Sequence, residues 1–379
     1  EVIFAIDQVA SKSDKSILGR YGNTTILTVL IAKELTKNIN SFFPLTIAVE
    51  EKFYAVGRIP AGFNKREGKS SYDAVIIARL IDRSLRSFFP LGAHQEVQII
   101  NHILSVDPAS TVISSEFAGE LVVSATKEKI VMLEVEAPET TEEALISAVA
   151  AAHQEIRYLI GFFEYIANSL RVKKIKPEIT EPKQASTQQN PSQKEEEIIE
   201  ELQKITDTNL KKLMSEMQVS QQRRLDGRNF DTIRPLKIHL DYLSAVHGSA
   251  LFARGNTEVL AVTTVGKTSE KQVVDNIFSR SYKHFIHHYN FPNFAVNELA
   301  GYRNVSRREI GHGELVEKTF TYLVPPLTSF PYTVRVVSEV LASDGSSSQA
   351  AICATSLALM TTGVPLIRPA AGIALGLFA

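Results

Sequence analysis

Apolar positions dominate the β-type run Thr333-Val334-Arg335-Val336-Val337-Ser338-Glu339-Val340-Leu341, which predicts a strand. The next residues, Asp344-Gly345-Ser346-Ser347-Ser348-Gln349, break that pattern, and a small-residue run over 350–360 predicts a helix. Residues 17–29 and 251–262 each read as a turn entering a strand. Further helices are predicted around 71–85 and from Thr141 to about Ser169, where Thr140 or Thr141 with Glu143 forms a capped, acidic first turn. A polar linker over 183–193 precedes an amphipathic helix. In that helix Ile198, Ile199, Leu202, Ile205, Leu210, Leu213, Met214 and Met217 fall at helical spacing, an apolar face read as intramolecular packing. Helices layered on strand-rich segments predict an α+β class.

The pattern occurs twice. Gly22-Asn23-Thr24 and Gly255-Asn256-Thr257 lead matching strands at an offset of 233. Lys65-Arg66-Glu67-Gly68 matches Arg307-Arg308-Glu309-Ile310-Gly311, with Arg66 to Arg308 an offset of 242. The strand over 97–107 matches the strand over 334–344 at 237. Three matches in one order at nearly one offset predict a duplicated domain, because solenoid repeats are far shorter. The expected division is a first core over 1–172, a helical linker domain over 173–222 and a second core over 223–379.

The copies differ at the strand-to-helix corner. First-turn amides of a helix have no intrahelical partner, and the dipole end there is positive. Serine hydroxyls add donors, and Gly345 permits close approach or positive φ. One serine would serve as an N-cap; three after Asp-Gly exceed what capping needs, so the corner reads as an anion site. The first copy has Asp107-Pro108-Ala109-Ser110 there. Proline removes a donor and alanine offers no hydroxyl. Only the second copy is therefore expected to bind the anion.

A net charge of −1 excludes a chain coated with basic charge, but the distribution is uneven. Residues 56–90 hold seven basic and three acidic side chains, leaving +4. The single cysteine, Cys353, excludes a disulfide framework and reads as a small buried residue in a cytoplasmic protein. The first residues lack a basic segment leading an apolar core, so no signal peptide is expected. No apolar run reaches membrane-spanning length.

Two clusters carry candidate chemistry. Arg307 and Arg308 precede Gly311, His312 and Gly313. Adjacent arginines are often a solvated face; with two glycines to admit a ligand, their planar forks suit phosphate oxygens. His312 is placed to contact phosphate or substrate, or is structural. In the first copy, Phe63, Lys65 and Arg66 combine an aromatic with basic side chains, the pairing that stacks an unpaired base while tracking the backbone. Phe63 equally suits a core position. Arg79, Arg83 and Arg86 share one helix face, either along a single-strand path or paired with Asp82.

Several motifs together resemble the bacterial polynucleotide phosphorylases of the ribonuclease-PH-like family. They are Arg224-Leu225-Asp226-Gly227-Arg228, His247-Gly248-Ser249-Ala250, Arg254-Gly255-Asn256-Thr257, His288-Tyr289-Asn290-Phe291-Pro292, Arg307 to Gly313 and Asp344 to Ser348. Phe43-Pro44-Leu45-Thr46 and Ala78 to Arg83 add to them. The resemblance implies two ribonuclease-PH-like cores (ribosomal S5 domain 2-like) joined by an all-helical domain in a homotrimeric ring. It implies a nucleotidyltransferase that phosphorolyses single-stranded RNA, including mRNA, from its 3′ end to nucleoside diphosphates. Inorganic phosphate would be the co-substrate, Mg²⁺ the cofactor and RNA-degradation complexes possible partners. On matching positions, Ser346, Ser347 and Ser348 would bind phosphate, Arg307 and Arg308 would hold RNA phosphates beside His312, and Phe63, Lys65 and Arg66 would line the channel constriction. Asn64 and Lys65 depart from the family's usual Phe and Arg, so one stacking platform is lost. The family's metal-binding aspartates, catalytic lysine and C-terminal RNA-binding modules fall beyond Ala379, so this stretch alone is expected to be inactive. The regions after Asp107 and around Lys183 are shorter than the family pattern. Two alternatives stay open: a catalytically silent RNA-binding ring subunit of an exosome-like assembly, and a small-molecule kinase with a Gly-Ser-Ser loop. The kinase lacks both the duplication and the Arg-Arg-Glu-Ile-Gly-His-Gly element.

Overall fold

The computed structural model describes residues 2–34, 43–61, 63–86, 88–89, 95–106, 119–137, 139–169, 224, 227–277, 280–299 and 305–375. The amphipathic segment at 198–217, the polar linker and the first copy's Asp107-Pro108-Ala109-Ser110 lie outside them.

The first sheet contains β1 (Val2–Ile6), β2 (Lys15–Tyr21), β3 (Thr24–Glu34), β4 (Leu45–Glu51) and β5 (Gln95–Ser105), in the order β1-β2-β3-β5-β4. Helix α1 (Tyr72–Arg86) follows β4. A hairpin of β6 (Glu120–Ala125) and β7 (Ile130–Glu136) leads to α2 (Glu142–Ser169). The second sheet contains β8 (Leu236–Leu240), β9 (Gly248–Arg254), β10 (Thr257–Lys267), β13 (Phe285–Asn290) and β14 (Tyr332–Ala342), in the order β8-β9-β10-β14-β13. It is the same arrangement, strand for strand. In each sheet the β4–β5 or β13–β14 pair alone is parallel, and the others run antiparallel. Helix α3 (Arg307–Thr321) occupies α1's place in the order, and α4 (Ser347–Thr361) follows β14. The repeated Gly-Asn pair makes the same two-residue turn twice, with Gly22 at φ 57° and Gly255 at φ 59°. Positive φ suits glycine, which explains the repeat.

The denser core lies in the second lobe. Val259, Ala261, Val334, Val336 and Val340 project from the sheet against Phe320 and Val316 of α3 and Ala350, Ala351, Ala354, Ala358 and Leu359 of α4. Small residues on every side of α4 let it pack closely with sheet, helix and the final extended segment. The first lobe's sheet is less sealed. Ile26, the counterpart of the fully buried Val259, is 39% exposed.

The small hairpin of β11 (Gln272–Asp275) and β12 (Arg280–Lys283) reaches from the second lobe onto the first. Arg58 pairs with Asp275 at 2.5 Å and donates to the Asn276 carbonyl at 2.9 Å, while Asn276 donates to Asp73 at 2.6 Å. Ile277 completes the junction by packing with Ala55 and Val106. These contacts bring α1 of the first lobe against α3 of the second.

Candidate functional site

Strand β14 ends at a corner built from two consecutive left-handed residues, Gly345 (φ 85°) and Ser346 (φ 58°). That double reversal carries the chain into α4 and brings the corner's carbonyls within reach of side chains from the β8–β9–β10 edge. Arg234 donates to the Asp344 carbonyl at 3.0 Å and the Gly345 carbonyl at 3.4 Å. Thr257 donates to the Gly345 carbonyl and accepts from the Asp344 amide, each at 3.0 Å. Arg254 donates to the Ser346 carbonyl at 3.0 Å. No side chain caps α4. Helix α3 shows the contrast: Ser306 and Glu309 close its N-terminus in a reciprocal capping box. The Ser346 position is thus an N-cap in place but not in bonding, and the first-turn amides of α4 remain for an anion.

The three serines differ. Ser347 is 2% exposed, and its Oγ accepts the Tyr289 hydroxyl at 2.7 Å. With its lone pair so occupied, Ser347 keeps its own proton to donate. Ser348 and Gln349 line a cavity of about 990 Å³ between the lobes. Arg79 and Arg83 of α1 line it too, opposite Gly311 and His312 of α3.

Gly311 and Gly313 lie inside α3, not in a ligand-hugging loop. A Cβ at Gly311 would collide with the Arg79 guanidinium, so the missing side chain makes room for a first-lobe arginine. At Gly313 a Cβ would meet β13 near His287 and Tyr289 only at ordinary van der Waals distance, so the packing there does not require glycine. His312 stands edge-on to Tyr289, with ring centroids 5.2 Å apart. Burial, aided by Arg308, Arg79 and Arg83, pushes its pKa down to about 4, so the ring is neutral at pH 7. Its buried Nδ1 has no hydrogen-bond partner among the described residues.

The paired arginines separate. Arg308 lies over the Phe291 ring, 4.2 Å from the centroid. Arg307 points elsewhere and donates to the Ile47 carbonyl in the first lobe. Its contact is a strap between lobes, not a grip on the cavity. Arg86 likewise leaves the path expected for it: it pairs with Asp82 at 2.6 Å and donates to the Phe43 and Leu45 carbonyls at 2.8 and 3.3 Å. Arg86 is thus salt-bridged, whereas Arg79 and Arg83 line the cavity. Phe63 is no core residue; it is 99% exposed, on a loop whose Lys65 and Arg66 are also exposed. That loop is anchored by Glu67 accepting the Phe53 amide at 2.9 Å.

Sequence reasoning singled out no role for Tyr289, Arg234, Arg254 or Thr257. Tyr289, Arg254 and Thr257 lie in the quoted motifs and Arg234 in none, and their partners at the corner lie 58 to 111 residues away. A divalent cation does not fit the described residues. Among them no group of three or more His, Cys, Asp or Glu side chains is placed to hold one. Asp344, the carboxylate at the corner, faces Arg234 at 3.7 Å. None of the helices among the described residues is long and apolar enough to cross a membrane.

The sequence matches the 3′ exoribonuclease family, domain 1, over residues 1–154 and 232–365. The polyribonucleotide nucleotidyltransferase of Staphylococcus saprophyticus is 37% identical over 451 residues, covering 98% of this chain and 65% of the relative. That of Streptococcus thermophilus is 35% identical over 462 residues, covering 99% and 62%. The chain therefore spans a little under two thirds of these relatives' length. The matched stretches, at 451 and 462 residues against 379, agree with internal segments shorter than theirs. Among solved structures, rice (Oryza sativa) Rrp46 is 25% identical over 38% of this chain and 61% of that chain, with a TM-score of 0.29.

Proposed function

This chain belongs to the 3′ exoribonuclease family, and from that premise we propose that it serves the phosphate-dependent shortening of single-stranded RNA from the 3′ end, releasing nucleoside diphosphates. The observation that carries the reading is the uncapped N-terminus of α4 beside a cavity that Arg79, Arg83, His312 and Lys318 line together with Glu134, Glu136, Glu139 and Glu314. Hydrogen phosphate would sit on the first-turn amides and the Ser347 and Ser348 hydroxyls. One of its oxygens attacks the terminal phosphodiester phosphorus; the bond to the 3′ oxygen breaks. That oxygen takes up the proton that the phosphate brought, and the diphosphate leaves with the terminal nucleoside. Two anions must approach closely, and Arg308, Arg79 and Arg83 would offset their repulsion. Such a transfer needs placement and charge neutralisation more than covalent help. A neutral His312 would hydrogen-bond to an oxyanion rather than act as a fixed cation.

The first lobe, to about residue 172, would guide RNA, with Phe63 stacking a base and Lys65 and Arg66 tracking the backbone. The second, from about 223, would hold the chemistry. A homotrimeric ring in the cytoplasm, with Mg²⁺ held by residues outside the described ones, completes the proposal. What supports an assembly is α2, which has no buried residue yet carries exposed Tyr158, Leu159, Phe162 and Phe163. Ser347→Ala and Arg308→Ala in the complete protein should each cut phosphorolysis at least about a hundredfold. Undiminished diphosphate release by both would overturn the reading.

A further inference from the structure

Arg254 is 7% exposed and makes two contacts through one fork. Nη2 donates to the Ser346 carbonyl at 3.0 Å and Nη1 to the Gly372 carbonyl at 3.1 Å. Ser346 is a non-glycine residue in the left-handed region, a conformation that costs about 1–2 kcal/mol unless its surroundings hold it. The carbonyl that Arg254 grips belongs to that residue's own peptide link to Ser347. That carbonyl also accepts the Ala350 amide at 3.1 Å, the first bond of α4, so it points along the helix and the Ser347 N–H of the same planar unit points the opposite way, off the helix start.

The duplication supplies an internal comparison. Tyr21 occupies Arg254's place at the end of β2, and Tyr21 is 67% exposed. Both hairpins nevertheless make the same turn, with Gly22 and Gly255 at nearly equal φ, and both keep the following threonine, Thr24 or Thr257. The arginine is therefore not needed for the hairpin. It occurs in the copy with Ser346-Ser347-Ser348 and not in the copy with Asp107-Pro108-Ala109-Ser110.

We infer that Arg254 is a positioning residue for phosphate: it locks the Ser346–Ser347 peptide so that the Ser347 amide faces the incoming oxyanion. This rests on the phosphorolytic reading above. A planar fork holds two carbonyls at once, which an ammonium does not. Lysine should therefore rescue only in part.

The test compares Arg254→Met and Arg254→Lys with the unaltered complete protein. Phosphate KM and kcat are measured in RNA phosphorolysis, inorganic phosphate binding by titration calorimetry, and RNA affinity by fluorescence anisotropy. Loss of an outer partner that orients a metal ligand commonly costs roughly 10- to 100-fold, and the same scale is expected for a partner that orients a phosphate-binding amide. Arg254→Met should raise the phosphate KM and Kd by that factor and leave RNA affinity within about twofold, with Arg254→Lys between. A folded Arg254→Met with unchanged phosphate KM and Kd overturns the inference, as does RNA affinity falling in step. If Arg254→Met does not fold, Arg254→Lys decides: phosphate binding equal to the unaltered protein overturns the inference. An unaltered protein that neither binds phosphate nor releases diphosphates refutes the phosphorolytic reading itself, and this inference with it.

Discussion

Removing the Tyr289 hydroxyl tests whether the Ser347 proton is aimed at phosphate. Both partners are buried, Tyr289 at 3% exposure and Ser347 at 2%, and the bond is 2.7 Å long. A neutral bond of this kind is worth about 0.5–1.5 kcal/mol net. In Tyr289→Phe the Ser347 hydroxyl loses the donor that fixes its rotation, so its proton is no longer held in one direction. The phosphate KM should therefore rise about two- to thirteenfold, the equivalent of that energy. Ser347→Ala removes the donor outright and should cost far more in kcat. The two effects should not add: once Ser347 is alanine, Tyr289→Phe has no hydroxyl left to misdirect. Steady-state phosphorolysis over a phosphate series, run on both single variants and the double, gives the coupling energy directly. An equal rise in phosphate KM from Tyr289→Phe in both backgrounds would refute the reasoning, since Tyr289 would then act by a route that bypasses Ser347.

Three further outcomes follow from the geometry. Burial holds His312 at about 4 and His287 at about 3, both below the ordinary 6.5, so the unfolded chain binds more protons between those values. Stability should be level above pH 6.5 and fall as pH drops through 4 toward 3; a His312→Asn variant should fall less steeply from 6.5 to 4, and equal slopes by chemical denaturation would count against the assignment. Phe63→Ala should weaken single-stranded RNA binding by about 1–3 kcal/mol with no change in Tm, because the ring is 99% exposed. Arg307→Ala should act on lobe docking, costing about 1 kcal/mol and about 1–2 °C in Tm while leaving the phosphate KM alone; a phosphate defect matching that of Arg308→Ala would count against a role confined to the lobe junction.

The local devices were legible because they are written in short-range spacing. An apolar β-type run marked β14, the Gly-Asn pair marked both hairpin turns, and Asp-Gly-Ser-Ser-Ser marked the corner before α4. Their recurrence at one offset announced two like sheets, which have the same strand order. Helices α1, α2 and α4 lie within a few residues of their expected spans for the same reason. Arg307 and Arg308 show where this stops. They are neighbours in sequence with identical chemistry, yet one is bound to Ile47, 260 residues away, and the other to Phe291. Nothing in their spacing distinguishes them, since adjacent positions on a helix point about 100° apart and the packing partner decides which faces what.

The sequence by itself determined that there would be two sibling lobes and that the later one would carry a serine-rich strand-to-helix corner. Only the tertiary structure decided that Arg79 and Arg83 cross from the first lobe to that site, that Tyr289 orients Ser347, and that Arg86 and Arg307 serve as struts. Backbone geometry and side-chain periodicity are properties of a few consecutive residues. Which long side chain ends in a cavity is settled by lobe docking, through a hairpin and a glycine whose partners lie some 200 residues away.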